Sequence, residues 1–165
     1  MSILTEIFNP ESLFLQPYYE NIYKGAGKAI ILTDRIKTEL DALAIPESSY
    51  ESNFFIKKRS FIAIYYTGQK VAQYVGIHPL GVDLSICHFT LMSPSLFKTL
   101  QAPQGQGILT ESEIISAITL GEWLLAVRKR VEMQIKKLKE EINKDNIGIN
   151  SNISQRGVFD FSPGF

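Results

Sequence analysis

A single apolar stripe in the second half of the chain constrains the fold more than any other feature. Thr110 is a favourable N-cap, and Glu113 stands three residues on, where its carboxylate can return to the Thr110 amide in a capping box. Apolar residues then recur at steps of three and four, at Leu120, Leu124, Val127, Val131, Ile135, Leu138 and Ile142. The pattern predicts a helix from Thr110 to about Lys144. A stripe of this length requires a partner, which is the protein's own sheet, a second copy or another protein.

The composition indicates one globular domain. The 165 residues are 45% hydrophobic and 21% charged, and 17 basic residues balance 17 acidic ones. A neutral chain is a poor candidate for nonspecific nucleic-acid binding, which depends on neutralising phosphates. The one cysteine, Cys87, excludes an intrachain disulfide. Because we find no signal-peptide pattern and no apolar run near the ~20 residues of a membrane span, we expect a cytoplasmic protein, or one incorporated into a particle assembled there.

Two helical segments are predicted before the middle of the chain. Asn9-Pro10-Glu11 is typical of a helix start, and Pro17 would end or kink that helix. A second helix is expected from Lys28 until Ile45-Pro46 stops it. Residues 46–53 have the composition of a turn.

The period of the apolar residues then changes from 3.6 to 2. Residues 54–66 are predicted as a strand, and Thr67-Gly68 as the reversal into a second strand over 70–77. His78-Pro79-Leu80-Gly81 fits a type I turn, and residues 82–91 form the third predicted strand. Short turns between strands produce an antiparallel meander. The predicted fold class is therefore α+β, with N-terminal helices, a three- to four-stranded antiparallel meander, a long C-terminal helix and an extended tail.

The end of the chain is expected to contact other molecules. Ser93-Pro94 opens a short helix, and residues 101–109 form a glycine-rich connector. We divide the chain into a domain of residues 1–144 and an extended tail of residues 145–165. The tail's phenylalanines would pack on the protein itself, or dock on a neighbouring subunit by strand addition or side-chain insertion. The predicted partner-binding residues are Val158, Phe159, Phe161, Phe165, Arg128, Arg130 and Lys137.

Catalytic chemistry has one candidate location, around Cys87 and His88. Adjacent residues of a strand point to opposite faces, so these two cannot act together as nucleophile and base. Asp83, Ser85 and Cys87 share a face, and a site there would need His78 at its rim. No glycine-flanked elbow surrounds Ser85, so solvent-facing strand residues are the simpler interpretation. We expect no metal and no cofactor, because the histidines and the cysteine lack ligand spacing.

Gly25-Ala26-Gly27-Lys28 has the glycines of a phosphate-binding loop. It fails the stricter pattern, because Ile22 stands where a Walker A loop needs glycine and Ala29 where it needs Ser or Thr. No strand is predicted to lead into it. A break between helices is the expected role.

The helix segment 128–139 is basic, with Glu132 as the one acid within it. Cations toward a helix C-terminus complement the helix dipole, which is the simple explanation. A nucleic-acid strip is the alternative, although no aromatic side chains are interleaved for stacking. The spacing from Leu124 to Ile142 is also close to a coiled-coil seam.

These observations favour a non-enzymatic structural or adaptor subunit of a larger assembly, such as a viral particle or an injection machine. Its partners would be proteins, in a homo-oligomer or a hetero-assembly. Two alternatives stay open. One is a small-ligand-binding or hydrolase-like domain around Asp83, Ser85, Cys87 and His78, and the other is nucleic-acid binding through residues 128–139.

Overall fold

A computed structural model describes residues 13–56, 58–101 and 110–159. The elements in chain order are β1 (Leu13–Ile22), a 3-10 turn (Ala26–Lys28), α1 (Ala29–Leu43), β2 (Ser48–Ile56), β3 (Arg59–Tyr66), β4 (Val71–Leu80), β5 (Asp83–Met92), α2 (Pro94–Gln101) and α3 (Glu111–Phe159). The predicted α+β class, with an antiparallel sheet and a long C-terminal helix, is confirmed. No helix in the described ranges is long and apolar enough to cross a membrane.

The described strands form one antiparallel sheet in the order β1-β5-β4-β3-β2. Strands β2 to β5 are a meander of consecutive hairpins, and the predicted three-stranded meander corresponds to β3, β4 and β5 within it. Strand β1 pairs with β5 at the far edge, so the chain returns from β1 to β2 through α1. The described sheet therefore has five strands, where we expected three or four.

The first predicted helix is wrong, because residues Leu13–Ile22 form strand β1. The register of β1 against β5 shifts between Leu15 and Tyr18, which places Pro17 within a bulge. Proline is tolerated at bulges and in edge strands, where a missing amide breaks no ladder. The helix start predicted at Asn9-Pro10-Glu11 lies outside the described residues.

The turn predicted at 46–53 is largely strand β2. Residues 54–66, expected as one strand, form the end of β2 and all of β3, with a reversal at Lys58, whose φ is 68°. The register of β2 shifts between Ser52 and Phe54, and the intervening Asn53 has a φ of 79°. Polar residues that resemble a turn are accommodated because alternate side chains of this edge strand face solvent.

The type I turn predicted at His78-Pro79-Leu80-Gly81 is also wrong. Strand β4 continues to Leu80, which pairs with Asp83, so the loop is Gly81-Val82. Gly81 has a φ of 64°, and Val82 is not among the positive-φ residues, which fits a type II′ turn. A two-residue turn of this type matches the twist of paired strands. The strands β4 and β5 can therefore stay paired up to Leu80 and Asp83, although proline and glycine in this segment suggested an earlier turn. The predicted reversal at Thr67-Gly68 is confirmed, with a φ of 73° at Gly68.

The larger core lies between one face of the sheet and the two longer helices. Helix α1 contributes Leu32, Ile36 and Leu40, which its period predicts. Six of the seven stripe residues of α3 are buried in the same core, and Leu124 packs against it half-buried. The partner of the stripe is therefore the protein's own sheet and α1, and the coiled-coil seam is occupied within the chain.

Helix α3 is longer than predicted. It spans 49 residues, from Glu111 to Phe159, which is about 73 Å at ~1.5 Å per residue. Residues 145–159, which we expected in an extended tail, are helical, and residues 160–165 lie outside the described part. The basic segment 128–139 packs on the core through Ile135 and Leu138.

Candidate functional site

The second face of the sheet carries a smaller, aromatic cluster. Phe61, Ala63, Ala72 and Tyr74 are buried there, and Phe89 packs against them. The rings of Tyr74 and Phe89 stack with centroids 5.2 Å apart, and Phe61 meets both edge-on. We call this surface the aromatic face. The hydrolase-like site considered from the sequence would lie on it.

The sheet register brings the predicted site residues to the aromatic face. His78 pairs with Ser85 and Gly76 pairs with Cys87, and residues paired across strands share a face. His78 therefore belongs to strand β4, whereas we had placed it in a turn. A Cβ added at Gly76 would lie 2.7 Å from Cys87 Sγ and 2.8 Å from His78 Nε2. The thiol and the imidazole thus stand together over a glycine.

The electrostatics of this cluster do not activate a nucleophile. Burial raises the pKa of the Cys87 thiol, while burial, helped by the charge of Arg59, lowers the pKa of His78. Both groups are therefore held in their neutral forms, whereas a catalytic cysteine needs a stabilised thiolate. Asp83 is engaged elsewhere, because its Oδ1 accepts a hydrogen bond of 2.9 Å from the Lys24 amide.

Two further kinds of site can be compared with the described residues, namely a metal centre and a phosphate-binding loop. Among the described residues, no group of three or more His, Cys, Asp or Glu side chains could hold a metal ion. The amide of Gly25 donates to Ile22 at 3.1 Å, and that of Ala26 donates to Val82, also at 3.1 Å. These amides are therefore unavailable to a phosphate. Strand β1 does lead into this segment, contrary to our expectation, and the segment joins a strand to a helix.

Three of the basic residues of α3 are neutralised within the protein. The ion pairs are Arg128–Glu132 at 2.9 Å, Arg130–Glu39 at 2.8 Å and Lys139–Glu20 at 3.1 Å. Such pairs contribute little to stability, but they reduce the positive potential that a phosphate backbone would need. Lys137 is exposed and has no ion pair among the described residues. Two of the predicted partner-binding residues, Arg128 and Arg130, are thus engaged within the chain.

The predicted aromatic tail is described only in part. Val158 and Phe159 are the last residues of α3, and no side-chain contact of theirs is described. Phe161 and Phe165 lie outside the described residues. Partner binding by these four residues stays a prediction.

The first turns of α3 present an apolar surface that the sequence analysis missed. Ile114, Ile118 and Leu125 are 41%, 54% and 52% exposed, and a Cβ added at Gly121 would have no neighbour within 4 Å. At ~100° per residue, these four positions fall within roughly 60° of one another around the helix. We call the set Ile114, Ile118, Gly121 and Leu125 the outer face of α3. It lies roughly 110° around the helix from the buried stripe.

Comparisons of this chain with protein-family models, with curated proteins and with solved structures find no match.

Proposed function

We propose that this protein is a non-enzymatic structural or adaptor subunit of a larger protein assembly, and that α3 is the element that contacts its neighbours. One observation carries the proposal. The first nine residues of α3, 111–119, contain no buried side chain, and burial along this helix begins at Leu120. Roughly 13 Å of helix, at ~1.5 Å per residue, therefore precedes the part that rests on the protein's own core.

The first turns of α3, which precede its contacts with the core, need another source of stability to stay helical. Short helical segments are marginal in water, and most helices in proteins are stabilised by packing an apolar face. The outer face of α3 offers such a face at one end. Contiguous exposed apolar residues, rimmed by polar ones, are typical of protein interaction sites.

The assembly proposal is tested by the mass of the native complex. In a gentle extract of the cells that produce the protein, we expect the full chain to elute well above its monomer mass. Replacing Ile114, Ile118 and Leu125 with Glu should shift it toward the monomer. The matched control is Ile30→Glu, since Ile30 is an exposed isoleucine (77%) on α1. Elution of the wild-type chain as a monomer would contradict the proposal.

A second variant separates the tail from the helix face. A chain that ends at Arg156 removes the aromatic residues and keeps the outer face intact. If the tail contributes contacts, this chain should elute between the wild type and the triple Glu variant. An unchanged elution would remove the tail from the proposal and leave the helix.

Small-ligand binding on the aromatic face is the second candidate function, because Cys87 and His78 converge over Gly76. A ligand seated there would protect the Cys87 thiol from alkylation and would lose affinity in the Cys87→Ala variant. An alkylation rate that no compound of a ligand library changes would speak against this candidate.

A further inference from the structure

We infer that the outer face of α3 binds the same face of a second copy of this chain, in an antiparallel helix pair. The four residues of the face are separated by four, three and four positions, so their spacing is the same in both directions along the helix. A second helix that runs the opposite way therefore places Ile114 opposite Leu125, and Ile118 opposite Gly121. Two-fold interfaces are self-complementary in this manner. The inference rests on the proposed assembly function and names one partner for it.

Gly121 makes the outer faces of the two copies complementary in shape. Glycine within a helix is destabilising relative to alanine, so its presence in the middle of the outer face calls for a compensating contact. The space above Gly121 is open within its own chain, since a Cβ added there would have no neighbour within 4 Å. In the antiparallel pair, Ile118 of the second copy fills this space. Small residues at a helix crossing allow such close approach of the backbones.

Charge fixes the direction of the pair. Glu111 and Lys129 lie beyond the two ends of the outer face, on the same flank of the helix by its ~100° period, and both are exposed. Neither forms an ion pair among the described residues. An antiparallel partner brings the same flanks together and places Glu111 beside Lys129 of the second copy. In a parallel pair the two flanks lie on opposite sides, so neither charge meets its opposite. Opposite charges on facing helix flanks set orientation in this way.

The second helix approaches a side of α3 that does not rest on the core. The buried stripe lies roughly 110° around the helix from the outer face, whose isoleucines and leucine are exposed. The overlap of residues 111–129 is short for a permanent complex, whose interface usually buries about 2,000 Å² or more. We therefore expect a dimer that dissociates at micromolar concentrations.

Sedimentation equilibrium of the purified full chain tests the inference. The wild-type chain should show a reversible monomer–dimer equilibrium, and Ile118→Glu and Gly121→Leu should be monomeric at the same concentrations. Gly121→Leu is the informative variant, because leucine favours helix and its Cβ would have no neighbour within 4 Å in its own chain. Its thermal unfolding should match or exceed that of the wild-type monomer. The control Ile147→Glu changes a 69% exposed isoleucine of α3 beyond the overlap and should dimerise normally.

A charge exchange tests the orientation. Glu111→Lys should weaken the dimer, and adding Lys129→Glu in the same chain should restore it. A parallel pair would gain no such restoration.

The outcomes separate this inference from the assembly proposal. A wild-type chain that is monomeric at high concentration, or a dimer indifferent to Gly121→Leu, overturns the antiparallel pair. If the same chain still elutes as a large complex from the native extract, the assembly proposal stands with other partners. If it elutes there as a monomer, both are overturned.

Discussion

The side-chain amide of Gln73, in the central strand of the sheet, donates a hydrogen bond of 3.0 Å to the backbone carbonyl of Leu124 in α3. The hydroxyl of Tyr66 donates in turn to Gln73 Oε1 at 2.6 Å. Gln73 and Tyr66 are both buried. Because buried polar groups are costly without partners, this short chain of hydrogen bonds favours one position of α3 along the sheet. It thereby fixes where the outer face of α3 projects.

Replacing Tyr66 with Phe should destabilise the protein by about 1–3 kcal/mol, because the buried Gln73 oxygen then loses its donor. Gln73→Met should cost a similar amount, since it removes both hydrogen bonds of the side chain. The double variant should cost clearly less than the two single changes added together. Urea unfolding of the four proteins measures these free energies. Strict additivity would mean that the two side chains do not act as a unit.

His88 should make the fold sensitive to acid. It is 1% exposed on the core face of β5, and neither ring nitrogen has a hydrogen-bond partner among the described residues. Burial, with a further contribution from Arg128, lowers the pKa of His88 to about 4. In the unfolded chain the pKa is near ~6.5, so the unfolded state binds the proton first as the pH falls.

The stabilisation from neutral His88 is therefore complete above about pH 6.5 and is lost as the pH falls toward 4, by about 3 kcal/mol in total. Urea unfolding at a series of pH values measures this loss. His88→Leu should remove most of it, because leucine does not titrate. His78, whose pKa is also lowered, should account for a smaller remainder. An unchanged pH profile in His88→Leu would contradict the assignment.

Gly76 should tolerate no side chain. An added Cβ would lie 2.7 Å from Cys87 Sγ and 2.8 Å from both His78 Nε2 and Phe61 Cε1. We expect Gly76→Ala to cost about 1–3 kcal/mol, the usual range for overpacking. The same substitution at Gly121 is the matched control, and it should stabilise the monomer by up to ~1 kcal/mol. Thermal unfolding at a concentration where the chain is monomeric compares the two.

The capping box at the start of α3 should hold the outer face in helical form. The Thr110 amide donates to Glu113 Oε2 at 2.7 Å, and the Glu113 amide donates to Thr110 Oγ1 at 3.3 Å. Thr110→Ala should cost about 1 kcal/mol. Hydrogen exchange of the amides of residues 111–118 should accelerate, while exchange near Val131 should not. Ser112→Ala, in the same turn, serves as the control.

Local sequence patterns predict correctly those helices in which the spacing of apolar residues and the capping residues indicate the same boundaries. The capping box, the buried stripe of α3 and helix α1 are as predicted, because a 3.6 period and a polar start define them without reference to the rest of the fold. The alternation of residues 83–91 also placed Cys87 and His88 on opposite faces correctly. Each of these features is determined by residues that lie within one or two helical turns, or a few strand positions, of one another.

The elements that we predicted wrongly are formed by pairing with strands distant in the sequence. Pro17 suggested the end of a helix, but β5 supplies the pairing that makes residues 13–22 a strand with a bulge. His78 was assigned to a turn because proline and glycine follow it, yet pairing with β5 extends the hairpin to Leu80. Edge position and cross-strand pairing are tertiary facts, so local propensity could not supply them.

The outer face of α3 left a signal that we did not use. Ile114, Ile118 and Leu125 are apolar but fall off the main stripe, at intervals of four and seven. Such residues on a second side of a helix indicate a second contact. The sequence alone does not indicate which of the two apolar sides of α3 packs on the protein's own core.

The most direct test of the account is a disulfide cross-link between two single-cysteine chains in a Cys87→Ala background. One chain carries Ile114→Cys and the other Leu125→Cys, and they are mixed under mild oxidation. The antiparallel pair predicts a covalent dimer between the two chains and little within either alone, since equivalent positions lie about 16 Å apart along the axis at ~1.5 Å per residue. Cross-linking of Ile114→Cys with itself, or no cross-link in the mixture, would contradict the proposed contact.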